Sequence, residues 1–200
     1  MSSYKVIART STILRQILWQ SFAQDNEIRS LVPTQAAIVL LNPTQTALDS
    51  ANRLSLWLYR VHENEFMKNR PMLRATNGNG NPQKEAQQFP PLALDLHFLV
   101  TPFGPSGQAD HLILGKTMQL MYDNAVLLVR DVADGIVEEL RLILCPLKLE
   151  ELTRIWESLR EPYRLSVCYQ VKVTRIDSER LPGDAHIIDR IADIDETEMR

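Results

Sequence analysis

Apolar residues recur along this chain with two different periods, and the local period predicts each element. From Tyr4 to about Gln24, Val6, Ile7, Thr10, Ile13, Leu14, Ile17 and Leu18 fall at helical spacing. Arg9, Arg15, Gln16 and Gln20 are left on the other side. The run Ala36–Leu41, AAIVLL, is short and stopped by Asn42-Pro43, as a buried strand would be. In LSLWLYRV, Leu54, Leu56 and Leu58 alternate with Ser55, Trp57 and Tyr59. Large aromatics on the second face predict that this face is covered as well. From Leu92 to Thr101, Leu92, Leu94, Leu96, Phe98 and Val100 alternate with Ala93, Asp95, His97 and Leu99. Pro90-Pro91 and Pro102 bracket that strand, because proline cannot donate to a ladder.

Ser106-Gly107 precedes a helix over about 108–122, with Leu112, Leu114, Met118 and Met121 as its core positions. Val126–Arg130 reads as a short strand, Asp134-Gly135 as a hairpin turn, and Val137–Cys145 as the returning strand. A third helix runs from Leu149 to about Arg160, with Leu149, Leu152, Trp156 and Leu159 in one stripe. Glu161-Pro162 breaks it. Tyr163–Ile176 then alternates over its whole length and is expected to be the longest strand, roughly 40 Å. Such a strand would protrude beyond its sheet.

Two polar stretches interrupt the pattern. Residues 62–88 hold Arg70-Pro71 and NGNGNP and predict a long flexible loop. Residues 177–200 form an acidic tail with eight carboxylates against Arg180, Arg190 and Arg200. The expected organisation is one domain over 1–176 plus that tail. Between Lys68 and Lys84 there are four basic residues and no acidic one. Neither segment is dense enough in positive charge to predict nucleic-acid binding. No apolar run approaches the roughly 20 residues of a membrane span, and MSSYKVIARTSTIL is not a secretion signal.

Candidate chemistry is sparse. Cys145 and Cys168 both fall in expected strands without metal-type spacing, and read as reduced, packed thiols of a cytosolic protein. Asp95 and His97 share one strand face. With no third ligand in the pattern, a hydrogen-bonded pair on the polar side of a sheet outweighs a metal or acid–base site. His62, His111 and His186 sit in no motif and read as ordinary surface or helix residues. Glu150-Glu151 is explained by its place in a first helical turn, where negative charge favours the helix dipole. No GxSxG, GxGxxG, GxxxxGK[ST], HExxH or CxxC occurs. No nucleophile with an orienting partner is nominated, so no catalytic residue, metal or cofactor is expected. Trp156 belongs to its helix's core stripe. Trp57 faces away from the leucine row and is the better interface anchor.

Four segments in order carry a family resemblance. They are LSLWLYRVHEN with the following Asn69-Arg70-Pro71, PPLALDLHFLVTPFG, LGKTMQLMYDN, and LKLEELTRIWESLREPYRLSVCYQVKVTRIDS. From about Ile7 to Asp177 the chain resembles the tail-terminator, or cap, family of extracellular contractile injection systems of the antifeeding-prophage type. The resemblance implies an α+β fold like that of phage tail terminators, a mostly antiparallel sheet packed with helices. It implies a homohexameric ring that ends the inner tube and sheath and anchors the last sheath layer. The expected partners are copies of itself, the inner-tube protein and the sheath protein, in a phage tail-like particle assembled in the cytoplasm. A chain ending near residue 200 would be the simplest form, a terminator without an appended domain. Where relatives read S-L-E-E-L, Lys148 replaces the capping serine, which predicts that Glu151 lacks its reciprocal partner at a cost of about 1 kcal/mol.

Ring closure needs two different patches that meet around the axis. The expected interface comprises Trp57 and Tyr59; Lys68, Arg70 and Arg74 of the basic loop; and Tyr163, Arg164, Gln170, Lys172 and Thr174 of the last strand. The basic loop and the acidic tail read as complementary patches, meeting between neighbours or contacting sheath and tube. The competing reading is an adaptor that docks a cargo peptide on an exposed sheet edge.

Overall fold

A computed structural model describes residues 4–67, 73–74, 87–88, 91–130 and 137–176. Helix α1 spans Val6–Gln24 and buries Val6, Thr10, Ser11, Leu14, Leu18 and Phe22, the stripe its spacing demands. Asp25 ends it and starts α2 (Asn26–Leu31), its carboxylate accepting from the Glu27 and Ile28 N–H groups. The AAIVLL run does not form the six-residue strand expected. A 3-10 turn takes Gln35–Ala37, and only Ile38–Val39 pairs, as β1. Asn42-Pro43 proves to be a helix start as well as a strand stop. The Asn42 side chain accepts from the Gln45 N–H at 2.8 Å and Pro43 opens α3 (Pro43–Ala47).

The remaining elements are β2 (Leu54–Glu63), β5 (Leu92–Pro102), α4 (Gly107–Asp123), β6 (Val126–Arg130), β7 (Val137–Cys145), α5 (Leu149–Ser158) and β8 (Val167–Ile176). Ser106 caps α4 through the Ala109 N–H. The sheet order is β1-β2-β5-β8-β7-β6. β1 runs parallel to β2, and every other pair is antiparallel. The fold is α+β with a mostly antiparallel sheet, as expected. β6 and β7 pair from Val126↔Arg141 to Arg130↔Val137, the register a hairpin requires. The Asp134-Gly135 turn lies outside the described residues, and so does the acidic tail over 177–200 with His186.

The leucine row of β2, the Leu94–Val100 row of β5, Tyr169 and Val171 of β8, and Leu140 and Leu142 of β7 share one sheet face. There they join Leu14, Leu18 and Phe22 of α1 and Ile113, Leu114 and Met121 of α4 in a single buried core. Each such side chain contributes about 1.5–3 kcal/mol on burial. Ile113 was not among the expected α4 positions. It points inward because a stripe broad enough to touch both α1 and β5 spans more than one helical row.

Three expectations need correction. The last strand starts at Val167, not Tyr163, and has 10 residues against the 11 of β5. It is an inner strand between β5 and β7, and it starts late because Tyr163 packs on Trp156 and Arg164 on Phe103 and Asp110 instead of joining a ladder. The polar connection begins later than His62, since β2 runs on through Glu63 and a 3-10 turn takes Glu65–Met67. Lys148 supplies no side-chain cap, as expected, yet Glu151 still makes its half of the box by accepting from the Lys148 N–H at 2.9 Å.

The chain divides into two units, one of Met1–Arg70 with Pro91–Asp177 and one of Pro71–Pro90 with Ser178–Arg200. Within the second, β3 (Leu73–Arg74) and β4 (Gln87–Gln88) pair antiparallel, Leu73 opposite Gln88, so residues 62–88 are not wholly without structure.

Candidate functional site

Strand alternation that points the leucine rows at α1 and α4 turns a different set of residues to the opposite face. Register places Trp57 of β2 opposite Leu99 of β5, which in turn lies opposite Cys168 of β8 and then Cys145 of β7. One step along, His97 lies opposite Gln170. A bulge at Leu58/Arg60 lets Tyr59 share this neighbourhood. The Trp57 and Tyr59 rings lie 5.9 Å apart, tilted, and half-exposed.

Asp95 is the polar hub of this face, at 4% exposure. Its two oxygens accept from Asn64 Nδ2 at 3.1 and 3.0 Å, and Oδ2 also accepts from Gln170 Nε2 at 3.0 Å. His62 Nε2 stands 3.7 Å from the same oxygen. Asp95 does not hydrogen-bond His97, the pairing expected from their shared face. His97 instead leans on His62, ring centroids 4.9 Å apart, and directs Nδ1 toward Cys145 Sγ at 3.9 Å. His62 is therefore part of the network, contrary to its reading as an ordinary surface residue, whereas His111 is exposed on α4.

Burial, followed by the fields of His62 and Arg60, holds His97 below the ordinary imidazole range and so favours the neutral ring. Cys145 and Cys168 are free thiols on adjacent strands. The hydrogen bond from Cys168 lowers the Cys145 thiol, against the effect of burial and with help from Lys172. That shared bond, and then burial, raises Cys168. Tyr59 Oη lies 3.1 Å from Cys168 Sγ, and burial first and this contact second keep the phenol protonated.

The expected interface residues divide. Trp57, Tyr59, Gln170 and Lys172 do come together on the face turned away from α1 and α4. Tyr163 packs edge-on against Trp156, centroids 6.3 Å apart. Arg164 is occupied within the chain: its guanidinium sits 4.5 Å from the Phe103 ring and 3.3 Å from Asp110 Oδ2. Asp110 in turn accepts from the Gly104 N–H, and Gly104 must be glycine because a Cβ there would meet Ala109 Cβ at 2.7 Å. Lys68 and Arg70 lie outside the described residues; only the backbone of Arg74 and Thr174 is described.

Sequence reasoning missed the sheet's edge. β6 is its last strand, and Val126 and Leu128 are 54% and 71% exposed. Register puts both on the same face as Arg141, and Ile143 of β7 is exposed beside them. The signal was present in VLLVR, an apolar run with no obvious covering element. A cleft of about 240 Å³ lies elsewhere, lined by Pro43, Phe103, Trp156, Pro162, Tyr163 and Arg164 among others. It is smaller than usual ligand pockets and contains neither Asp95 nor His97. No helix among the described residues is long and apolar enough to cross a membrane.

A sequence profile of the family described as the Pvc16 N-terminal domain matches residues 9–190. One solved structure that the chain resembles is the sheath/tube terminator of PVC, an extracellular contractile injection system, in its extended state. The TM-score is 0.53 at 18% identity, covering 81% of this chain and 56% of that one. Another is the tube-terminating cap of the anti-feeding prophage, with TM-score 0.47 at 19% identity, covering 69% and 47%. The chain thus spans about half the length of each. No curated protein matches it in sequence.

Proposed function

The chain belongs to the Pvc16 N-terminal domain family, and on that premise we propose that it is a structural, non-enzymatic cap of a contractile injection system. Copies form a six-fold ring on the last layer of inner tube and sheath. The ring occupies the surface where the next tube subunit would add, which ends growth, and it anchors the last sheath layer. Assembly takes place in the producing cell's cytoplasm. The domain over 1–176 does this work, with the acidic tail as an accessory.

The family match over residues 9–190 carries the reading. The β6 edge supports it, since a strand edge with exposed Val126 and Leu128 is a liability in a monomer and an asset in an assembly. In the ring, this edge and the neighbouring Ile143 form one of the two patches that closure requires. Trp57 and Tyr59, on the same face, belong to the other. β8 is a poorer candidate than its sequence promised, because β5 and β7 already flank it from Cys168 to Lys172.

The test is particle length in cells that lack this chain. Tubes of variable, excess length, restored to a fixed length by the chain in trans, support the cap. Tubes of normal length, with a purified chain that stays monomeric and captures a cargo peptide on β6, support the adaptor reading instead.

A further inference from the structure

Three soft or borderline ligand atoms converge on the face of the sheet away from α1 and α4. A ring nitrogen of His97, Cys145 Sγ and Cys168 Sγ all lie within 4.8 Å of one another, and His97 Nδ1 is 3.9 Å from Cys145 Sγ. They come from three neighbouring strands, β5, β7 and β8. The antiparallel register makes Cys145 and Cys168 direct cross-strand partners, with His97 two residues from the residue opposite Cys168. The sequence hides this, because 22 residues and a helix separate the two cysteines. We propose that His97, Cys145 and Cys168 form a three-ligand site for a borderline divalent cation of the zinc type, clasping β5, β8 and β7 together.

Three arguments support the site. A tetrahedral zinc ion with sulfur at 2.3 Å and nitrogen near 2.0 Å holds these atoms roughly 3.5–3.8 Å apart. The observed cluster therefore needs to contract by at most about 1.3 Å, within the reach of side-chain rotation. The ligand types are right, since two thiols and an imidazole select this class over oxygen-seeking cations. Finally, Tyr59 Oη, 3.1 Å from Cys168 Sγ, is placed as a donor to the bound thiolate.

The fourth position falls to water, because no further His, Cys, Asp or Glu joins this cluster among the described residues. His97 Nε2 is buried with no protein hydrogen-bond partner among the described residues, so no outer carboxylate fixes the ring. Affinity is accordingly weaker than at closed four-ligand sites. The inference rests on the strand register and stands apart from the role as a cap.

The full chain, purified with reductant and stripped by a chelator, is titrated with cobalt(II) and then challenged with zinc. One equivalent of cobalt should bind with the intense d–d absorption of a tetrahedral ion and a thiolate-to-metal charge-transfer band, and zinc should abolish both. Cys145→Ser, at a half-exposed strand position, should remove the charge-transfer contribution of one thiolate. It should weaken binding by more than the roughly 10–100-fold that loss of an outer partner costs. Cys168→Ser and His97→Gln, checked for folding by circular dichroism, should do likewise. His111→Gln, on exposed α4 surface, should change nothing. A folded wild-type chain without a thiolate band in excess cobalt would overturn the site. So would a band unaltered by Cys145→Ser, or one ion shared between two chains.

Discussion

The two faces of one six-stranded sheet are written by the same strands through simple alternation, yet they perform different tasks. Toward α1 and α4 the residues are Leu56, Leu96, Phe98 and Val171, all fully buried and in mutual contact. On the other side stand Trp57, Tyr59, Asp95, His97, Gln170 and the cysteines, linked by specific polar contacts, with an exposed apolar edge at Val126 and Leu128. The first face can be explained by the need to fold. The second carries more specific chemistry than folding requires. Under the proposed assembly, that asymmetry would separate the stabilising surface from the one that meets neighbours.

Substitutions should register the difference, here in falling order of effect on folding. Phe98→Ala removes a fully buried ring from the helix-packed face and should cost about 3–5 kcal/mol in denaturant unfolding. Asp95→Ala strands the Asn64 and Gln170 donors on the other face and should cost about 1–3 kcal/mol by the same measurement. An equal or larger loss from Asp95→Ala would break the comparison, making the polar face the one that holds the chain together. Lys148→Ser should go the opposite way, gaining about 1 kcal/mol by completing the half-made capping box with Glu151.

One pH response belongs to the helix side. Hydrogen bonds from the Ile28 N–H and then Lys116 hold the Asp25 carboxyl below its ordinary value. Its contribution is thus fully present above the ordinary aspartate pKa and is lost as pH falls through the lower folded value. Asp25→Asn should flatten that part of the acid-unfolding curve measured by circular dichroism. Leu128→Asp should have the smallest effect on folding, within about 0.5 kcal/mol, because the side chain is already in water. Light scattering should nevertheless show that ring formation fails, which is the sharpest separation of the two surfaces.

Much of the helix-packed face was legible from period alone. The stripe of α1, the rows of β2 and β5, and the place of Trp156 all follow from spacing, because burial against a neighbouring element imposes the pattern. The short elements were not legible. β1, α2 and α3 depend on caps and tertiary contacts more than on period, although Asp25 and Asn42-Pro43 were readable signals. The extent of β8 was overestimated because Tyr163 and Leu165 continue its alternation while lying outside the ladder, in the connection before Val167. The face turned away from α1 and α4 was hardest to read. Asp95 meets Asn64 and Gln170, and Cys145 meets Cys168, only once pairing and register are fixed, and a sequence does not state register. The proposed function came through the family resemblance, not through any chemical motif.

The central claim is that this chain ends a polymer by forming a ring that matches its last layer. A cryo-EM reconstruction of the particle's far end tests it most directly. The account predicts six copies of this domain seated on the terminal tube layer, with β6 at the contact between neighbours. A terminal plate built from another polypeptide, with this chain absent from it, would contradict the account.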